Sequence, residues 1–321
     1  MKKILLSILF LGLLQFAGQA TDFIFQTRPG GSDWIFASWL KRFSVLESGY
    51  GNRETKYRPA AIALGWERVK EQWSAGLTFS HEWGGLERGW RDNPAGRDNG
   101  WARIDDKAFG LTLFGNYYGE AGGFGKASLF GGHSRQKLKY GQAGGPSFPK
   151  LRGGGQAGSW RVGASLELGK RLELPRGFRL TPHLGLDYSR SQSQKIPYWE
   201  NNVSGTMILP GQNRYEFPLG VTLAKDFVGG DWRITPSLDF TLIAAAGHLK
   251  SRNRGVHPGF LSRTGSEWKI YGIGASRWGQ RLTAGIRAAR AGRLELEGRC
   301  TLEHRKNHRD RRIEAVAGIG F

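Results

Sequence analysis

Few residues in this chain have the types and spacing that chemistry needs. His304 and His308 stand four apart across a stretch that reads as a turn. Two imidazoles so placed can hold a metal ion, but metal sites take three or four protein ligands and no third accompanies them. His183 and Asp187 lie four apart on a segment that reads as a strand, where about 13 Å separates them, too far for an acid–base pair. No Gly-x-Ser-x-Gly elbow occurs. The stretch GGFGKAS (122–128) has the Gly-Lys of a phosphate loop but neither its first Gly nor the following Ser/Thr. Cys300 is the single cysteine, which excludes an internal disulfide and a cysteine-based zinc site. The expectation is no catalytic, cofactor or metal site, and a hydrolase or acyltransferase reading has no motif to rest on.

What stands out instead is a set of charges on one parity. Arg161, Glu167, Arg179, Arg233, Asp239, Arg281, Arg287, Glu295, Glu297, Arg299, Glu303 and Arg312 sit among alternating apolar neighbours. Over 232–244, for example, Trp232, Ile234, Leu238, Phe240 and Leu242 share one parity, and Arg233, Thr235, Ser237, Asp239 and Thr241 the other. Side chains on a strand point alternately to opposite faces, so such a segment has one greasy face and one polar face. About twelve segments read this way: 34–45, 58–69, 72–83, 106–118, 124–137, 160–171, 178–191, 214–226, 232–247, 280–290, 293–305 and 310–321. Each is long enough to cross hydrocarbon as a tilted strand, which takes roughly 9–11 residues.

The connections agree. Those after the even-numbered segments are short (70–71, 119–123, 172–177, 227–231, 291–292). Those after the odd-numbered ones are mostly long, such as 84–105 and 248–279, where 268–278 is either a further strand or, the preferred reading, part of the loop; only 306–309 is brief. Tight turns on one side and large loops on the other mark a meander that crosses a membrane.

Composition bounds the reading further. The 321 residues include 49 Gly, 12 Trp and 18 Phe and carry a formal charge of +20. Gly is about twice its usual share, and scattered among alternating apolar residues it fits strands that bend or leave room inside a closed wall. Beyond the N-terminus no apolar run approaches the roughly 18 residues of a transmembrane helix. Residues 1–20 read as a secretory signal peptide, with Lys2 and Lys3, an apolar stretch and Gly18-Gln19-Ala20 before cleavage. Residues 21–33 form a short segment, and 34–321 the main domain.

A soluble barrel would show the same alternation with its greasy face turned inward. Three features favour the membrane. Gly and Ser crowd the polar parity. Trp34, Trp73, Trp83, Trp160, Tyr188, Phe227, Trp232 and Trp278 fall near segment ends, where interface girdles belong. Opposite charges meet on neighbouring strands: pairing across 291–292 sets Arg287 against Glu295, and across 306–309 Glu303 against Arg312. The fold expected is all-β, a transmembrane antiparallel up-and-down barrel of about 12 strands. The charged set would line its lumen.

The leader, the alternating strands and the terminal Phe321 resemble Gram-negative outer-membrane barrels. More narrowly, residues 33–321 resemble the autotransporter β-domain. The matching stretches are Phe178-Arg179-Leu180-Thr181-Pro182-His183-Leu184-Gly185-Leu186-Asp187-Tyr188, Ile234-Thr235-Pro236-Ser237-Leu238, Ala284-Gly285-Ile286 and Ala317-Gly318-Ile319-Gly320-Phe321. The resemblance implies a twelve-stranded translocator barrel in the outer membrane, Phe321 as the C-terminal insertion signal and the barrel-assembly machinery as a partner. Residues 21–33 are too few for the passenger that autotransporters carry, so the expectation is a barrel without one. The alternative is a passive, anion-favouring pore. Nucleic acid is a poor partner for an exported chain. The basic stretches 135–152 (Arg135, Lys137, Lys139, Lys150, Arg152) and 248–264 (Lys250, Arg252, Arg254, Arg263) point to outer-membrane lipid and the phosphates of lipopolysaccharide.

Overall fold

The computed structural model describes residues 32–46, 55–90, 100–142, 151–192, 194–200, 203–209, 211–248, 252–257, 266–271, 276–290, 293–306 and 308–321, nearly all of them in strands. Twelve staves form the wall: β1 (Ser32–Leu46), β2 (Ala60–Lys70), β3 (Trp73–Trp90), β4 (Gly100–Tyr118), β5 (Gly123–Gln142), β6 (Leu151–Lys170), β7 (Phe178–Ser191), β8 (Gln212–Lys225), β9 (Trp232–Gly247), β10 (Trp278–Arg290), β11 (Leu294–Arg305) and β12 (His308–Gly320). Each pairs antiparallel with the next. β12 pairs back onto β1 from Trp34↔Gly320 to Leu46↔His308, so the sheet closes and its staves have no free edge.

The two faces settle the question that alternation left open. Leu64, Phe79, Leu129, Leu219 and Ile319 point outward and are each more than 60% exposed, whereas Glu67, Glu295 and Asp310 point inward at 1%. A soluble barrel has the reverse arrangement. Outward grease is stable only against lipid, and closure satisfies the backbone groups that hydrocarbon cannot.

The Gly content has a more specific cause than bending. Inside the wall, four aromatic rings lie over glycines directly opposite in register: Phe36 on Gly65, Phe114 on Gly76, Phe124 on Gly169 and Phe130 on Gly163. A Cβ at Gly163 would stand 2.2 Å from the Phe130 ring and 2.4 Å from the Tyr188 carbonyl oxygen. Only a residue without a side chain seats the ring there.

Several expectations need correction. Most of 84–105 is strand, since β3 runs to Trp90 and β4 starts at Gly100. Ser266–Tyr271 pairs with Arg252–His257, so the strand alternative and not the preferred loop holds for the start of 268–278. Beyond the hydrocarbon both faces are wet, so alternation disappears while the ladder continues. The turn after β10 holds three residues, with Arg293 N donating to Arg290 O at 2.9 Å. The register is therefore Arg287↔Glu297, not Arg287 against Glu295. The turn after β11 is shorter than expected, which sets Glu303 against Asp310 and Thr301 against Arg312. Both shifts are by two residues, so facing is preserved while partners change.

The girdle also loses a member. Trp73, Trp83, Trp160, Phe227 and Trp278 lie outside and exposed, but Trp34 is buried inside at 1% exposure. β1 carries apolar residues on both parities, Trp34 and Phe36 inward and Ile35 and Trp39 outward, so its facing could not be read from pattern.

Candidate functional site: the charged interior

The short turns share one end of the barrel with Ser32 and Phe321, and the long connections lie at the other. In outer-membrane barrels the short turns are periplasmic. The long connections are then at the outer end.

Towards the outer end, one chain of ion pairs runs across the interior. Arg214 and Glu216 of β8 pair with each other. Arg305 of β11 donates through Nη2 to Glu216 Oε1 and through Nε to Glu303 Oε1, both at 2.7 Å. Glu303 Oε2 also accepts from Nη2 of Arg281 (β10) and Nη2 of Arg312 (β12), each at 3.1 Å. Arg312 Nε reaches Asp310 Oδ2 at 2.8 Å. Asp310 Oδ1 accepts from Arg42 Nε of β1 at 2.8 Å and from Ser44 Oγ at 2.7 Å. Glu216 and Arg305 stand three strand spacings apart, about 14 Å along the wall. Their contact therefore projects inward, off the wall and over β9 and β10.

The register puts two carboxylates, Glu303 and Asp310, face to face. Alone that would be repulsive. Arg281, Arg305, Arg312 and Arg42 surround them, and a buried charge persists only when paired and hydrogen-bonded.

Below this chain lies a polar cavity of about 250 Å³. Lys126 pairs with Glu167 at 2.8 Å, and Arg179 with Asp226 at 2.7 Å. Arg287 pairs with Glu295 diagonally and Arg299 with Glu297 along its own strand. His183 Nε2 meets Asp239 Oδ2 at 2.8 Å, reaching from β7 to β9 over Gly220 of β8. Thr222 and Thr241 donate to the same carboxylate at 2.8 and 2.7 Å. A Cβ at Gly220 would lie 2.6 Å from the His183 ring, so the contact depends on glycine there. His183 thus has a carboxylate partner after all, two strands away rather than at Asp187.

Of the residues expected in the lumen, Glu167, Arg179, Asp239, Arg281, Arg287, Glu297, Arg299 and Arg312 line this cavity. Glu295 and Glu303 are buried beside it. Arg161 lies in a second recess with Glu82, between β3 and β6. Arg233 keeps the inward parity but stands exposed at the periplasmic end of β9, opposite Val228 and Ala289. Arg42, Lys126, Arg214, Glu216, Arg305 and Asp310 were not singled out in the sequence. Parity would have placed Arg214 and Glu216 inward with Thr222, but a partner three staves away has no signature in neighbouring registers. Among the described residues no cluster of side chains suits a metal ion. Phe321 ends the seam, exchanging backbone hydrogen bonds with Asp33 at 3.0 and 3.1 Å, its ring outward and 73% exposed.

A closed wall with grease outside and paired charges within defines an outer-membrane β-barrel. The model of the autotransporter beta-domain matches residues 35–301, and the chain belongs to that family. The fold is similar to the β-domain of the Bordetella autotransporter BrkA, at 14% identity and a TM-score of 0.62, covering 90% of this chain and 100% of that one. It is also similar to the translocator domain of NalP from Neisseria meningitidis (14%, TM-score 0.54, 91% and 90% covered). The transport unit of AIDA-I from Escherichia coli matches at 14% and 0.54, with 98% and 95% covered. No curated protein matches the sequence.

Proposed function

We propose that the barrel serves as a translocator-type component of the Gram-negative outer membrane, delivered there by the 1–20 leader, with its interior held shut by the ion-pair chain from β8 to β1. The supporting observation is enclosure. A standing aqueous channel hydrates the charges on its wall, whereas the side chains of Arg305, Glu303, Asp310 and Arg312 are 3, 5, 0 and 7% exposed. The reading is of a membrane component and not of an enzyme: His183 and Asp239 are tied up with Thr222 and Thr241, and the contact serves to fasten β7 to β9.

A passive pore is the second reading, favoured by the polar cavity beneath the chain. Its arginines sit beside carboxylates, so such a pore would discriminate weakly between anions and cations. Planar-bilayer recording tests the first reading. The refolded barrel should pass little steady current, and E216Q/R305Q, which removes the cross-lumen contact without adding charge, should conduct measurably more. Steady ohmic conductance of the unaltered barrel, equal to that of the variant, would overturn it.

A further inference from the structure

The wall carries charge outside as well as inside, and its arrangement differs between the two rims. On the lipid-facing parity of β4 and β5, which lower down presents Phe109, Leu113 and Leu129, the outer ends present Arg103, Lys107, Arg135, Lys137 and Lys139, all exposed. They form one patch. Lys107 faces Arg135, Lys137 faces Asp105 and Lys139 faces Arg103 across the β4–β5 ladder. Facing residues are about 5 Å apart at Cβ, and same-face neighbours along a strand about 7 Å apart.

Asp105 and Glu87 are the acids beside the patch, and both engage Arg103, at 2.9 and 3.8 Å. That leaves Lys107, Lys137 and Lys139 with no ion pair among the described residues. On β6, Gly154, Gln156 and Gly158 stand opposite Lys139, Lys137 and Arg135, and the Gln156 side-chain amide lies against the Arg135 guanidinium. Trp83, cross-strand from Lys107, and Trp160 mark the interface at its foot. Arg135, Lys137 and Lys139, part of the basic stretch 135–152, are fixed on a strand and face outward at headgroup height.

The periplasmic rim is different. There Glu71, Glu120, Glu173 and Asp231 are interspersed with Lys70, Lys170, Arg176, Arg290 and Arg293, all exposed. What sets the outer patch apart is the clustering of cations whose neighbouring acids are already engaged by Arg103. We propose that the outer patch on β4–β6 binds the phosphorylated sugar headgroup of a lipopolysaccharide-type glycolipid, its phosphates on Lys107, Arg135, Lys137 and Lys139 and its acyl chains against the aromatic girdle. This rests on the outer-membrane placement proposed above, with the short turns periplasmic.

The test is titration of the detergent-purified barrel with diphosphoryl lipid A, its dephosphorylated form and phosphatidylglycerol, read by native mass spectrometry. Diphosphoryl lipid A should bind with an affinity that falls as salt rises. The variant K107Q/K137Q/K139Q should bind it on the order of 100-fold more weakly, each cation near a lipid surface contributing roughly 5-fold. K70Q/K170Q at the other rim should bind as the unaltered protein does. Heat-modifiable gel mobility reports separately whether each variant forms a barrel, so loss of binding in a folded variant speaks to the site alone. If the triple variant fails to fold, the salt dependence of the unaltered protein decides. Binding indifferent to salt, equal binding of the dephosphorylated lipid or of phosphatidylglycerol, or full binding by a folded triple variant would each overturn the assignment.

Discussion

Replacing Arg305 by Met removes a residue that ties Glu303 of its own strand to Glu216 three staves away. Its two contacts, to Glu216 and Glu303 at 2.7 Å, are charge-assisted hydrogen bonds, each contributing about 1.5–3 kcal/mol. Breaking a buried pair costs about 3–5 kcal/mol when the other charge is stranded. Here neither carboxylate is stranded, because Arg214 stays with Glu216 and Arg281 and Arg312 stay with Glu303. The expected loss for R305M is therefore near the lower end, about 3 kcal/mol. E216M leaves Arg305 its bond to Glu303 and should cost less, about 2 kcal/mol. The informative number is the coupling in the double-mutant cycle. It should be about 1.5–3 kcal/mol, measured by urea unfolding in detergent or lipid vesicles with tryptophan fluorescence. It should also survive molar salt, since enclosed pairs are weakly screened. A coupling below about 0.5 kcal/mol, the value of an exposed pair, would refute a cross-lumen contact shielded from water.

Three further outcomes follow from the geometry. G163A should destabilise the barrel by about 1–3 kcal/mol, visible as a lower midpoint of heat modification, and in an F130A background the same change should cost less; an equal cost would mean that the ring is not the obstacle. G220A should displace the His183 ring from Asp239 and cost about 1.5–3 kcal/mol, whereas in an H183A background the same change should cost little. Deleting Phe321 removes the backbone hydrogen bonds it exchanges with Asp33 and should lower the yield of assembled barrel in vivo while leaving refolding in detergent possible; equal yield in vivo would deny the residue an insertion role.

The staves that cross hydrocarbon were legible because lipid on one side and polar contacts on the other impose a period of two. The bounds of β7 and β9 follow from the pattern alone. Legibility failed in three places for three reasons. Above the membrane the contrast between faces vanishes, hiding the ends of β3 to β6. In β1, an inward Trp34 and Phe36 blur the parity, because a glycine opposite Phe36 lets a large ring lie flat in the interior. Registers depend on turn length, so a slip of two residues kept Arg287 and Glu303 facing inward yet assigned them the wrong opposite residues. The contact from Glu216 to Arg305 is a property of curvature, which no single strand encodes.

The ring-on-glycine seats have a consequence for how such walls change over time. Phe36 with Gly65, or Phe130 with Gly163, is tolerated as a couple. Enlarging the glycine alone creates a clash, and trimming the ring alone leaves a void. Selection then acts on joint occupancy, and a couple can be exchanged for another large–small combination while neither letter is kept. That is one route by which identity falls to 14% while the architecture persists at a TM-score of 0.62. It also means that correlated substitution between adjacent staves carries information about barrel order that position-by-position comparison discards.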